Sequence, residues 1–216
     1  MDEKLSAIYN AILDGDVAGA KDGVQTALMT DLQPENILAD GMIAAMREVG
    51  RRFEEGDYYV PEMLVAASAM QAALFLLKPL LVASDVKSTG RVAIGPVKGD
   101  LHDIGKNMVA LMLEGAGFEV TDLGVDVPPE KFVEAIAAGD VNILALSALL
   151  TTTMPNMKTT IESVQQAGLR DKVRIIIGGA PVTQHYADEI GADGFAADAS
   201  SAVCAARQLL QSVSCE

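Results

Sequence analysis

The chain lacks tryptophan and carries two cysteines and two histidines in 216 residues, with aromatic residues at 4%. Its core must therefore be assembled from Ala, Leu, Val, Ile and Met, which a hydrophobic fraction of 50% supplies. Cys204 and Cys215 form neither a Cys-x-x-Cys motif nor a zinc pattern, so they read as reduced thiols of a cytoplasmic protein. Positive charge is scarce: 16 Lys and Arg stand against 30 Asp and Glu, giving a net charge of −14. With a pI near 4.4, the chain lacks the clustered cations that phosphate backbones require, and nucleic acid is excluded as a partner. No uninterrupted apolar run reaches the roughly 18 residues that cross a bilayer, and Met1-Asp2-Glu3-Lys4 does not open a signal peptide. No membrane association is expected. No internal repeat or low-complexity stretch appears, and the length suits one large domain or two of about 100 residues each.

Two halves differ in hydrophobic period. Residues 1–83 are helical in pattern. Leu5, Ile8, Ile12 and Leu13 share one face of a first helix that Asp14-Gly15-Asp16 closes. Val17 to Met29 reads as a second helix and Asp31 to Val49 as a third, with Pro34 near its first turn. Phe53 to Tyr59 is a polar-aromatic loop, and Pro61 opens a long fourth helix to about Val82. The expectation is a four-helix bundle. Residues 84–90 are polar and serve as a linker. From residue 91 to 216, strands at 91–97, 118–124, 142–149, 173–179 and 194–197 alternate with helices. Continuous apolar runs such as Ile143-Leu144-Ala145-Leu146 fit strands covered on both faces. Five such units predict a doubly wound, flavodoxin-like (Rossmann-like) parallel sheet.

The most informative segment is Gly99-Asp100-Leu101-His102-Asp103-Ile104-Gly105-Lys106-Asn107. It joins the first strand to its helix, and so presents a histidine at the carboxyl end of a parallel sheet, where open α/β folds hold ligands. The loops after the third and fourth strands supply Ser147-Ala148-Leu149-Leu150-Thr151-Thr152-Thr153 and Gly178-Gly179-Ala180-Pro181-Val182. Small residues let backbone approach a ligand closely and hydroxyls satisfy buried polar groups. Taken singly, each piece has a plainer explanation. The threonines suit a helix N-terminus, glycine pairs are common in α/β turns, and Met42, Met46, Met63 and Met70 suit a helical core. His185 has no partner motif and reads as a solvated or core-capping residue.

Together, Asp100-x-His102-x-x-Gly105, Ser147-x-Leu149 and Gly178-Gly179 resemble the three blocks of proteins that bind cobalamin with its own base displaced. Gly191-Ala192-Asp193-Gly194-Phe195 belongs to the same pattern, and Tyr58 to Met70 is similar to the helical cap of corrinoid methyl-carrier proteins and of cobalamin-dependent methionine synthase. The resemblance implies a base-off, His-on cobalamin with His102 as lower cobalt ligand. It makes Asp100 the hydrogen-bond partner of the other ring nitrogen and Thr153, by spacing, the hydroxyl that completes a catalytic relay with Asp100. Asp103, Ile104, Gly105, Ser147, Leu149, Thr151, Gly178 and Gly179 would contact the cofactor and its displaced tail. Tyr59 and Met63 would face the methyl position from the cap.

The implied protein is not an enzyme by itself. It carries a methyl group on cobalt, between Co(I) and methyl-Co(III), and the linker would let the cap move aside when a partner docks. The donor side is a substrate-specific methyltransferase acting on methylamine, betaine, methanol or an aryl methyl ether. The acceptor side is a second methyltransferase using tetrahydrofolate or a thiol, and a reductive activase would restore the cofactor. The alternative is the cobalamin-binding component of an adenosylcobalamin-dependent mutase, which shares the His102 motif but does not require a helical cap. A cobalamin-sensing regulator would need a basic DNA-binding segment. A receiver domain would need a phospho-acceptor Asp where this chain has Ser147 and Ala148.

Overall fold

The computed structural model describes residues 2–30, 32–83, 88–139 and 141–210. The expected helix start at Asp31, linker residues 84–87 and Cys215 lie outside them. By contact density the chain divides into two compact units, Met1–Ser88 with Glu114–Gly117, and Thr89–Leu113 with Phe118–Glu216.

The first unit is helical. Helix α1 (Glu3–Leu13) starts where the Asp2 carboxylate accepts from Lys4 N at 2.8 Å, and α2 (Val17–Leu28) where Asp16 accepts from Gly19 N at 2.9 Å. The third helix is one continuous rod of three parts: α3 (Pro34–Asn36), a π-helical stretch Ile37–Ile43, and α4 (Ala44–Glu54). The sequence pattern does not reveal the π turn, yet it has a packing reason. Ile37 and Met42 are both fully buried. Five residues apart, they would diverge by roughly 140° on a regular helix, whereas an i→i+5 turn aligns them. The rod also outruns its expected end at Val49. Arg51 pairs with Glu48 and Glu55, and Arg52 with Glu48, so the last turns carry i,i+3 and i,i+4 support. The loop expected at Phe53–Tyr59 shortens accordingly.

Helix α5 (Val60–Ala83) opens with half a capping box, Glu62 reaching back to the Tyr59 amide at 2.9 Å. Met63, Ala66, Met70, Ala73 and Leu77 form its buried stripe, while Tyr59, Leu64, Val65, Phe75 and Leu80 are exposed. By length and composition alone its Val60–Leu81 portion would suffice to cross a membrane. It does so despite Glu62 and Lys78, which interrupt the apolar run. Here α5 packs along α2 and α4 within the bundle.

The second unit is a five-stranded, all-parallel sheet in the order β2-β1-β3-β4-β5. Its strands are β1 (Arg91–Pro96), β2 (Glu119–Asp122), β3 (Ile143–Ser147), β4 (Arg174–Gly178) and β5 (Gly194–Ala196). Helices α6 (Ile104–Gly115), α7 (Pro129–Ala137), α8 (Pro155–Gln166), α9 (Gln184–Ile190) and α10 (Ala199–Leu210) cover it. Each strand is one or more residues shorter than its apolar run. β3 and β4 are buried through their centres, as runs of Ile and Leu require. Phe132 of α7 is fully buried, and Gly95 makes room for it: a Cβ there would meet Val127 Cγ2 at 2.8 Å and Phe132 Cζ at 3.4 Å. Val127 thereby seats against β1 and bridges to Val97, which brings the β2–α7 loop beside the β1–α6 loop. The chain leaves β1 towards β2 on one side and β3 on the other, so the crevice at their carboxyl ends is the switch point of the sheet.

Candidate functional site

At that switch point Asp100 is the organising residue. It is 0% exposed, a burial that a carboxylate tolerates only when its oxygens are satisfied. Its Oδ2 accepts from Thr153 Oγ1 at 2.7 Å and Leu149 N at 2.8 Å, and its Oδ1 accepts from His102 N at 3.0 Å. Burial opposes ionisation here, but the Thr153 hydroxyl, the His102 and Leu149 amides and the His102 ring outweigh it. They hold the carboxyl well below the usual carboxylate range. The β3–α8 loop thus supplies the donors that keep a charge buried in the β1–α6 loop.

The imidazole of His102 rests on that charge. Its Nδ1 lies 2.8 Å from Asp100 Oδ1, while its side chain stays 48% exposed. With an ionised carboxylate at Nδ1, that nitrogen carries the proton and Nε2 carries the lone pair. A half-exposed imidazole held on a buried carboxylate is the arrangement found behind metal-bound histidines. Around it, Leu101, Ile104, Val125, Leu149 and Leu150 are large apolar side chains left exposed. A soluble surface leaves such a rim uncovered where a ligand or partner covers it.

The other predicted residues divide by role. Ser147, at the end of β3, has a buried Oγ with no hydrogen-bond partner among the described residues. Gly178 and Gly179 end β4, but their lack of a side chain serves the protein's own backbone. A Cβ on Gly178 would meet the Ala196 carbonyl at 2.8 Å, and one on Gly179, at φ +130, the Ala148 carbonyl at 1.9 Å. Gly105, in the first turn of α6, faces open space. Asp103 accepts Asn107 N at 2.8 Å through its carbonyl, and Ile104 and Thr151 are exposed. In the helical unit Tyr59 is exposed and Met63 buried, so only Tyr59 offers its side chain to a ligand there. His185 is exposed on α9.

Three contacts escaped the sequence reading. Asp126 Oδ1 accepts Gly99 N at 2.6 Å, and Asn156 Nδ2 donates to Lys98 O at 2.7 Å. Lys106, its side chain 2% exposed, pairs with Asp122 at the end of β2. Each joins the His102 loop or its flanks to a partner at least 16 residues away, which no local spacing marks.

Comparison with known proteins agrees with this geometry. Two family models, each described as a B12 binding domain, match residues 90–207 and 5–78. Fold, histidine site and both matches define a cobalamin-binding α/β module preceded by a helical unit. The chain is 42% identical over 211 residues to trimethylamine corrinoid protein 1 of Methanosarcina acetivorans, covering 97% of this chain and 98% of the relative. It is 45% identical over 181 residues to the dimethylamine corrinoid protein of Methanosarcina barkeri, covering 83% and 85%. A cobalamin-binding protein from Desulfitobacterium hafniense superposes with a TM-score of 0.80 at 31% identity, covering 95% of this chain and 98% of that one. The methanol:cobalamin methyltransferase complex of Methanosarcina barkeri gives 0.86 at 29%, covering 99% and 81%. The chain belongs to the family of corrinoid proteins.

The residues of the site fit that cofactor. The half-exposed imidazole has its second ring nitrogen unused by Asp100, the exposed apolar side chains suit a corrin face, and the buried Ser147 hydroxyl offers a polar contact.

Proposed function

We propose that this corrinoid protein shuttles methyl groups with a base-off, His-on cobalamin, and that His102 Nε2 is the lower cobalt ligand. The observation that carries the reading is the pairing of a half-exposed imidazole with a fully buried, ionised Asp100 at 2.8 Å. When bound, cobalamin supplies a cobalt centre that accepts and releases a methyl group. The chain supplies the rest. Asp100 would fix the tautomer and ring orientation of His102. The Asp100 carboxylate at 2.8 Å would hold the His102 ring in place whether or not its second nitrogen is bound to the metal. Thr153 holds Asp100 ionised by donating to Oδ2. Ser147, Leu149 and Thr151 line the crevice for the displaced tail, Gly105 leaves it unobstructed, and Gly178 and Gly179 shape its wall. Asp103 and Ile104, beside His102 in sequence, would contact the cofactor. The helical unit would serve as the cap, with the exposed Tyr59 as the side chain it offers.

In this reading the chain is a carrier subunit and not a catalyst alone. Its donor partner is a substrate-specific methyltransferase, and the names of the relatives support a methylated amine as the donor. An acceptor methyltransferase and a reductive activase complete the cycle, in the cytoplasm. A mutase component would share the histidine site, but both the helical unit and the relatives favour the carrier. The test is His102→Ala loaded with cobalamin. The variant is expected to bind the corrinoid while losing the histidine-ligated absorption spectrum, and an unchanged spectrum would remove His102 as ligand.

A further inference from the structure

Asp126 stands outside every motif of the site and yet grips the loop that carries it. It lies on the β2–α7 loop with φ +50, the one non-glycine residue with positive φ among the described residues. Single Asp residues visit this region at a cost, and such strain persists only where the surroundings enforce it. Here they do. Asp126 Oδ1 accepts Gly99 N at 2.6 Å, and Asp126 N donates to Asp100 O at 2.9 Å. The residue therefore clamps two consecutive positions of the β1–α6 loop, one through its side chain and one through its backbone. Its neighbour extends the clamp: Val127 N donates to Pro96 O at 3.0 Å, and Val127 is seated in the space left by Gly95. Gly99, at φ +83, makes the turn between Pro96 and Asp100.

The clamp acts on the backbone from which the Asp100 carboxylate projects, two residues before His102. A carboxylate that bonds Nδ1 directs the ring only if its own origin is fixed, and a displacement under 1 Å is enough to spoil ligand geometry. The grip from Thr153 and Leu149 fixes Asp100 Oδ2 from the β3 side. Asp126 fixes its main chain from the β2 side.

We propose that Asp126 is a positioning residue that, through Gly99 and Asp100, sets how firmly His102 holds cobalt. The proposal rests on His102 being the ligand, and the experiment separates the two. EPR of the full chain loaded with cob(II)alamin reads the fraction of histidine-coordinated cobalt in wild type, Asp126→Ala, Asp126→Gly and Asp126→Asn. Asp126→Asn keeps an acceptor oxygen and tolerates the left-handed backbone, so it is expected to match wild type. Asp126→Gly relieves the strain but removes the carboxylate contact. It is expected to shift the ratio of His-on to His-off cobalt by about tenfold, the low end for groups that orient metal ligands. Asp126→Ala is expected to follow Asp126→Gly, and if it fails to fold the glycine variant still decides. A merely structural role would lower melting temperature without moving that ratio. Histidine coordination unchanged in the Ala and Gly variants would overturn the proposal. Absence of histidine coordination in wild type would overturn the ligand assignment beneath it.

Discussion

Replacing Thr153 with valine removes one hydroxyl from the site and keeps the shape of the side chain. In the folded protein that hydroxyl donates to Asp100 Oδ2 at 2.7 Å, with the Leu150 carbonyl 2.9 Å away as a second acceptor. Asp100 is fully buried, so no water replaces the lost donor; Oδ2 retains Leu149 N at 2.8 Å and a long contact to Leu150 N at 3.4 Å. A hydrogen bond to a buried charged group is worth about 1.5–3 kcal/mol, and we take about 2 kcal/mol for the variant. With a urea slope of about 2 kcal/mol/M, the unfolding midpoint of the cofactor-free protein falls by about 1 M. The pH dependence has a fixed sign. Asp100 ionises below its ordinary range in the folded state, so its contribution is fully present above the unfolded-state carboxylate value near 3.9. That contribution is lost as pH falls through the lower folded value. The gap between wild type and Thr153→Val is therefore flat around neutrality and narrows only below about pH 4. Urea titrations followed by circular dichroism at several pH values measure it. A gap below about 0.5 kcal/mol at pH 7, or one that widens in acid, would refute the reasoning.

Ser147→Ala removes a hydroxyl that has no partner among the described residues, so cofactor-free stability should change by less than about 0.5 kcal/mol. Its cobalamin affinity should fall about fivefold, as for one lost hydrogen bond; equilibrium dialysis beside a melting curve separates the two effects. Gly179→Ala would press a Cβ onto the Ala148 carbonyl at 1.9 Å in a backbone conformation that glycine alone adopts readily. A loss of more than about 3 kcal/mol is expected with or without cobalamin, and a wild-type melting temperature would contradict that crowding. Asp122→Asn should destabilise by about 3 kcal/mol because it strands the buried Lys106 ammonium. Lys106→Met should cost less than about 1 kcal/mol, since Asp122 is 46% exposed and solvent takes it up. Equal losses in those two variants would show that the burial of Lys106 is not what makes the pair matter.

The sheet and the His102 loop were legible because their signals are local. Apolar runs mark strands covered on both faces, and Asp100-x-His102 places carboxylate and imidazole within one turn. Thr153 is pointed to by the family resemblance, and in the structure it donates to Asp100. Asp126 and Asn156 were invisible because they act across 27 and 58 residues on backbone groups, which leave no residue-type signature. The sequence marks Gly179 for a ligand's approach, and the close Ala148 carbonyl of the neighbouring loop is a second reason for glycine there that only the fold reveals. The π turn at 37–43 escaped for a related reason: its cause is the joint burial of Ile37 and Met42. The exposed apolar residues Leu101, Ile104, Val125, Leu149 and Leu150 come from three separate connections that follow β1, β2 and β3, and only folding brings those to one edge of the sheet.

The central claim is that His102 binds cobalt in place of the cofactor's own base. EPR of the protein loaded with cob(II)alamin, its histidines labelled with nitrogen-15, tests this most directly. A doublet superhyperfine splitting that disappears in His102→Ala is expected, His185 being the one other histidine. A nitrogen-14 triplet persisting in the labelled protein would mean that the cofactor keeps its own base, and would contradict the account.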